Sequence, residues 1–446
     1  MISKKNYLAI ILSVIGIYVL QIASKLFHSF LPVAMSVSSF KLTNYDEMLS
    51  YISIALKFVN SCIPVIYLLS GILMNNNFIH KTKAKSWILA VSIPTAILLC
   101  SLFLIPLNIN EGEQFWMVGF AYFPFLFGQA IITIAGGSLI LLMCNNHRMQ
   151  SVLSWVYSVT MYFLIFVDQN FTNININTVD EYRKIGTILS VIGAAVLIIS
   201  GLLTQEQTNE DKFITEIIEL DKVGIKQFKY IVGNKYWVLL TLVSTLTFIS
   251  YIITGTSHWR YLSFYVDNKI ISSNIGFAEN ICSIVFVILS VLIIRRFDAL
   301  KLLITGRISV VIACVLLLFA SSQSYIPLIA GLFFKGVSAG LLSVDFAVNA
   351  RLVDFIEWKH GVRQENLVIA IRLCVLSAIA YILAGSQQIF GQSALSGIIG
   401  ITDLGGSSYS LHVILPSILS IIVLILTMKI DLSEKKIDEM RLEIST

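Results

Sequence analysis

Eight ionisable side chains sit inside the apolar runs of this 446-residue sequence: Lys25, Lys57, Arg260, Glu279, Arg307, Lys335, Asp345 and Arg372. A charge in such surroundings is costly and normally meets a partner, a cavity or a water path. Lys25, Lys57 and Lys335 are deep by residue count, and Arg372 lies about two turns into its run. Lys25 and His28 share a helical face at i,i+3. Bases outnumber acids here, which favours a small solute with an anionic group held by Lys25, Lys57, Lys335 and Arg372. The competing reading pairs those bases with Glu279, Asp345 or helix-end carbonyls. Arg260 and Arg307 lie nearer the ends of their runs, where long side chains snorkel. Glu279 and Asp345 are the two acids that could carry a coupling proton.

A second concentration of charge is RLVDFIEWKHGVRQENL, residues 351–367, between two strongly apolar runs. Asp354 and Glu357 fall one turn apart if the stretch is helical, with Lys359 and Arg363 at i,i+4 and Glu365 beyond. Such a set could form a gate by pairing with Lys83, Lys85 or Arg148 across two helical bundles. The competing reading is a solvated loop that fixes topology.

The elements that must position these residues follow from composition. Hydrophobic residues make up 57% of the chain and charged residues 13%, with a mean hydropathy of +0.84. That is too little charge to cover the surface of a soluble protein this long. A bilayer-spanning helix needs roughly 20 mostly apolar residues. On that rule twelve spans are expected, near 7–32, 47–74, 87–106, 115–144, 151–168, 185–204, 236–264, 274–295, 299–320, 325–348, 365–390 and 410–430. The chain thus divides into a six-helix bundle over 1–204, a charged connector over 205–235, a second bundle over 236–430 and a tail over 431–446. The connector holds eleven charged residues in 31, and Ile214, Ile217, Ile218, Ile225, Phe228 and Ile231 give it the spacing of an interfacial amphipathic helix. The basic, then apolar, N-terminus resembles a signal peptide, but its apolar run continues to about Pro32 without a clear cleavage site, so it reads as the first span.

Lysine and arginine fix the expected orientation. The termini and even-numbered loops hold 21 of the 31, among them Lys4, Lys5, Arg148, Arg295, Arg351 and Lys436, whereas the odd-numbered loops hold Lys41, Arg183, Lys184 and Lys269. Both termini, the connector and the 351–367 cluster are therefore expected on the cytoplasmic side of the inner membrane. The same placement explains the net charge of +5 without a nucleic-acid partner.

The six cysteines all fall within apolar runs and show no metal-ligand spacing, so they read as small buried hydrophobes, with no cofactor and no metal expected. Gly336-Val-Ser-Ala-Gly340 spells the hydrolase nucleophile elbow, which needs a strand-to-helix turn. Within an apolar helix it reads instead as a small-residue packing face. The chain is not expected to be an enzyme.

LVDFIEWKHGVRQENL closely resembles the signature segment of the glycoside–pentoside–hexuronide:cation symporters, the melibiose-permease family, with Asp354, Glu357, Lys359, Gly361, Arg363 and Glu365 in matching order and Phe355 for a tyrosine. Weaker likenesses run through 83–94, 231–235, 261–266 and 429–436. The resemblance implies a major-facilitator fold of twelve helices and the transport of a sugar or glycoside, often coupled to Na⁺, H⁺ or Li⁺. The pattern departs in places. Where the family has W-D-x-x-N-D-P this chain has Phe58-Val-Asn-Ser-Cys-Ile-Pro64, and the family's acids in the first and fourth helices and its lysine in the eleventh have no counterpart. Sodium wants several oxygen ligands, at least one anionic, and Asn60 and Ser61 offer none with charge.

The expected function is secondary transport of a sugar, glycoside or sugar-acid solute, with a coupling proton or cation as partner and protons through Glu279 or Asp345 favoured over sodium. Two other readings remain open: a transporter or exporter of an amphiphilic or peptide-like metabolite, and a non-transporting sensor or accessory protein. Oligomeric state is not legible.

Overall fold

The computed structural model describes residues 3–37, 56, 58–75, 84–105, 111–144, 146–171, 176, 178–206, 225–265, 269–320, 326–361, 364–389 and 413–445. Every regular element among them is an α-helix: α1 (Lys4–Val37), α2 (Ile63–Asn75), α3 (Ala84–Phe103), α4 (Glu111–Leu142), α5 (His147–Phe171), α6 (Val179–Leu203), α7 (Ile225–Val232) and α8 (Lys235–Tyr265). There follow α9 (Lys269–Leu289), α10 (Val291–Ile294), α11 (Ala299–Leu318), α12 (Ile326–Leu342), α13 (Asp345–His360), α14 (Glu365–Ile389), α15 (Leu415–Met428) and α16 (Glu434–Ser445).

Ten stretches are long and apolar enough to cross a membrane, with α9–α10 and α12–α13 each counting once. The shorter apolar helices α2 and α15 stand where the second and twelfth spans are expected. Hydrocarbon offers no water to the backbone, so helices that satisfy their own amides are the natural solution for such runs. Local signals set several ends. Thr178 and Glu181 form a reciprocal capping box at the start of α6. The Asp298 carboxylate caps α11 by accepting from the Leu300 amide at 2.6 Å. Gly361 closes α13 with φ 69°, a left-handed conformation that suits glycine.

The tenth span differs from expectation. Instead of stopping near residue 348 it breaks around 343–344 and continues as α13 to His360, so most of the charged cluster is helical. In the connector, α7 is an eight-residue helix whose Ile231 is fully buried; Ile214, Ile217 and Ile218 lie outside the described residues. Lys57, Lys83 and Arg363 do too.

The chain forms two compact units. The first comprises residues 1–145, 171–223 and 365–374; the second, residues 146–170, 224–364 and 375–446. Helix α5 thus groups with the second unit, although it is counted among the first six spans, and the start of α14 groups with the first. In the first unit α1 packs along α6, and α3 lies against α4 and α6. In the second, α11 packs against α12 and α15, α9 against α12, and α8 against α15.

The Gly336/Gly340 face works as a packing surface. A methyl at Gly340 would sit 2.5 Å from the Phe286 carbonyl oxygen, and one at Gly336 would sit 2.5 Å from the Cys282 sulfur. Between them, Ser338 donates its hydroxyl to the Lys335 carbonyl within its own helix. Because the obstacle at Gly340 is backbone, G340A should cost about 1–3 kcal/mol. Detergent-solubilised G340A is expected to unfold at a lower temperature than the parent, and an unchanged midpoint would mean that α9 and α12 do not meet there.

Candidate functional site

The strongest charged feature within the spans is in the second unit. Lys335 Nζ donates to Glu279 Oε1 at 3.1 Å, with each side chain about a quarter exposed. Glu279 lies ten residues into α9 and Lys335 nine into α12, so each sits about 14–15 Å from its helix start. The two therefore stand at matching heights within their helices, inside the apolar runs rather than at the helix ends. Tyr162 of α5 and Tyr251 of α8 lie in the neighbourhood of Glu279 and the buried Arg307. Two residues assigned separately from sequence, one to solute and one to the proton, are therefore partners.

The remaining in-span candidates are dispersed. Lys25 is exposed on α1, its ammonium 6.0 Å from the centre of the Tyr18 ring. Arg372 is half-buried on the part of α14 that groups with the first unit. The Asp345 carboxylate accepts from Asn349 Nδ2, one turn along α13, at 3.3 Å. Among the described residues no group of three or more His, Cys, Asp or Glu is placed to hold a metal, and the six cysteines are unbridged.

At the end of the second unit that carries Arg148, Arg295 and Lys436, one carboxylate organises several elements. Asp298 accepts from the Leu300 amide, from Arg351 at 2.9 Å and from the Glu434 amide at 2.7 Å. Arg351 also donates to the Leu432 carbonyl at 2.9 Å and is only 1% exposed. Helices α11, α13 and α16 thus converge on a buried ion pair. Burial alone would push the Asp298 carboxyl up, but the Glu434 amide, the Arg351 guanidinium and the Leu300 amide outweigh it and hold it below the usual carboxylate value.

Helix α16 then reaches α5. Arg148 Nε donates to Glu434 Oε1 at 3.1 Å, the His147 ring lies 3.7 Å from Asp438, and Trp358 donates to Glu443 at 2.9 Å. Ile437 and Met440 face inward beneath these pairs. Of the sequence-derived gate residues, Arg148 therefore pairs with the tail. Lys85 turns to its own unit, donating to the Thr204 carbonyl while its amide meets Glu206. Asp354 is buried, Glu357 half-buried, Lys359 exposed, and Glu365 opens α14. Sequence reading missed Asp298, Glu434 and Asp438, although an aspartate just ahead of an apolar run is an N-cap signal.

The family described as MFS/sugar transport protein, which includes the melibiose-permease-like symporters, matches residues 47–434. The chain belongs to that family. It is an all-α, multi-pass membrane transporter of the major facilitator superfamily. Solved structures with the same fold include the transporter FucP in an outward conformation, with a TM-score of 0.60 and 14% identity over 95% of this chain and 99% of that one. A bacterial homologue of the iron transporter ferroportin, outward-facing, gives 0.60 and 10% over 94% and 98%. The proton:xylose symporter XylE bound to 6-bromo-6-deoxy-D-glucose gives 0.56 and 11% over 95% and 94%. No curated protein matches the sequence.

Removing one member of a buried pair strands the other charge, at about 3–5 kcal/mol where burial is complete. D298N is accordingly expected to lower the thermal midpoint and expose α16 to proteolysis. The Asp298 contribution is full above the ordinary aspartate value of 3.8 and is lost as pH falls through its lower folded-state value. For the more exposed pair, E279Q should cost about 2 kcal/mol and E279Q/K335Q recover most of it. Additive losses in that cycle would mean the two side chains do not interact.

Proposed function

We propose that this protein is a secondary active transporter that moves a sugar, glycoside or sugar-acid solute across the inner membrane by alternating access, driven by protons rather than sodium. The observation that carries this reading is the Glu279–Lys335 ion pair within the apolar helices of the second unit. A solute oxygen, and above all a carboxylate, competes with Glu279 for the Lys335 ammonium. Glu279, released from its partner, then takes a proton more readily, so solute and proton load together. Asp345, hydrogen-bonded to Asn349, is a second candidate for the proton. Lys25, Lys57 and Arg372 are proposed as further solute contacts. The carboxylates of a family-type sodium site are absent, with Asn60 and Ser61 in their place. Two fold neighbours are described as a fucose:proton and a proton:xylose symporter, which are precedents for proton coupling on this fold.

In this reading the bundles over 1–204 and 236–430 rock about the connector at 205–235, with both termini cytoplasmic as the lysine and arginine distribution favours. The cytoplasmic gate comprises Lys83, Lys85, Arg148, Asp354, Glu357, Lys359, Arg363 and Glu365, with the tail at 431–446 now joined to it through Glu434. Exposed pairs are individually weak, so the gate depends on several acting together.

Uptake into proteoliposomes tests the reading. Sugars and sugar acids are expected to accumulate when the interior is alkaline, with no added effect of an inward sodium gradient. Stimulation by sodium would overturn the coupling assignment. Flux confined to amphiphiles or peptides would overturn the cargo, and no flux for any solute would favour a sensor or accessory role.

A further inference from the structure

The first unit contains a polar chain that the function above leaves unused. His28 Nε2 on α1 lies 3.0 Å from the Tyr122 hydroxyl of α4, and Tyr122 donates that hydroxyl to Asn60 Oδ1 at 3.1 Å. A phenol has one proton. If it goes to Asn60, the bond to His28 needs a proton from the ring, which assigns Nε2–H to a neutral imidazole and leaves the Nδ1 lone pair as an acceptor. Asn60, accepting through Oδ1, presents its Nδ2 hydrogens as donors. Along one edge the chain thus offers an acceptor at His28 and donors at Asn60, the complement of neighbouring hydroxyls.

Helix α1 divides by face at this level. Phe27 and Phe30 are fully buried, in ring contact with Phe103, and Phe27 also with Tyr122. His28, Ser29 and Lys25 are exposed on the other side, and Asn60 is half-buried. His28 lies 24 residues beyond Lys4, about 36 Å along the axis, and Tyr122 twenty before the end of α4, about 30 Å. The chain therefore lies towards the end of the first unit opposite its basic N-terminus. Ionisable and amide groups in such a span call for a wet surface rather than lipid. The aromatic backing of Phe27 and the Tyr122 ring holds the imidazole edge-on to the phenol, at 88° between ring planes, so its direction is set before any ligand arrives.

We infer that His28, Tyr122 and Asn60 form a hydroxyl-recognition site in the first unit, taking two neighbouring hydroxyls of a sugar or sugar acid, with Lys25 one turn away for an anionic substituent. This inference rests on the sugar-type cargo proposed above and adds the residues that select it. His28 Nδ1 accepts from one hydroxyl, and Asn60 Nδ2 donates to the oxygen of the next. Tyr122 is a positioning residue that fixes the tautomer of the one and the orientation of the other.

The test uses the whole wild-type protein, so it does not depend on a variant folding. Diethylpyrocarbonate modifies neutral imidazole, and peptide mass spectrometry reads the rate at each histidine. D-Glucose, D-galactose, D-glucuronate and methyl-β-D-galactoside are added at constant ionic strength, with His360 as internal reference. For a solute that the proteoliposomes transport, His28 is expected to react about tenfold more slowly at ten times its half-saturating concentration, with His360 unchanged. H28F should raise KM for that solute by about tenfold while leaving the maximal rate within a factor of about two, and Y122F should raise KM in the same direction. A transported solute that leaves His28 reactivity unchanged overturns the site while the transport reading stands. A panel in which nothing is bound or transported overturns the sugar reading and this site with it.

Discussion

A charge in hydrocarbon must be paired or wet, and this constraint organises the molecule. A helix can hide its backbone but not an ammonium or a carboxylate. In the second unit the solution inside the apolar helices is Glu279 against Lys335, on helices held close by the Gly336/Gly340 face. The two features depend on each other. The 3.1 Å contact needs α9 and α12 in near backbone contact, and that approach gives the pair a defined geometry that a looser interface would not. In the mechanism proposed above, such a pair holds yet can be exchanged, because a solute anion and a proton together would replace what each member gives the other.

At the basic end of the same unit the constraint is met differently. Arg351 is fully buried and Asp298 is committed to it, to a helix cap and to the tail amide at once. Such a junction is difficult to trade, since three elements lose their anchor together. The contacts that α16 makes with α5, through Arg148–Glu434 and His147–Asp438, are more exposed or longer. The tail helix is thus held firmly to α11 and α13 and only weakly to α5.

Much of this architecture was legible in the sequence. Apolar length placed the spans, because the cost of burying polar residues in lipid leaves little freedom. The charged segment at 351–361 was legible as a set of residues but not as α13, since nothing in its composition marks the break near 343–344 or its continuation to Gly361. Pairings across long separations were the least legible. Glu279 and Lys335 are 56 residues apart and Asp298 and Glu434 are 136 apart, and local periodicity carries no information at that range. Lys335 stands out in the sequence by its depth and Glu279 as one of two acids inside apolar runs, but only the packing of α9 on α12 makes them partners. Asn60 drew notice as the residue standing where carboxylates were expected, whereas its link through Tyr122 to His28 depends on three separate helical segments meeting.

In the proposed mechanism Glu279 couples solute to proton by exchanging its hold on Lys335. Two modes of transport in proteoliposomes containing E279Q separate this role from any other. A neutral side chain at 279 leaves solute able to bind and cross but removes the proton that makes movement uphill. Exchange of labelled for unlabelled solute at equal concentrations should therefore persist, while accumulation driven by a pH gradient disappears. If E279Q still accumulates solute against its gradient as the wild type does, Glu279 is not the coupling group.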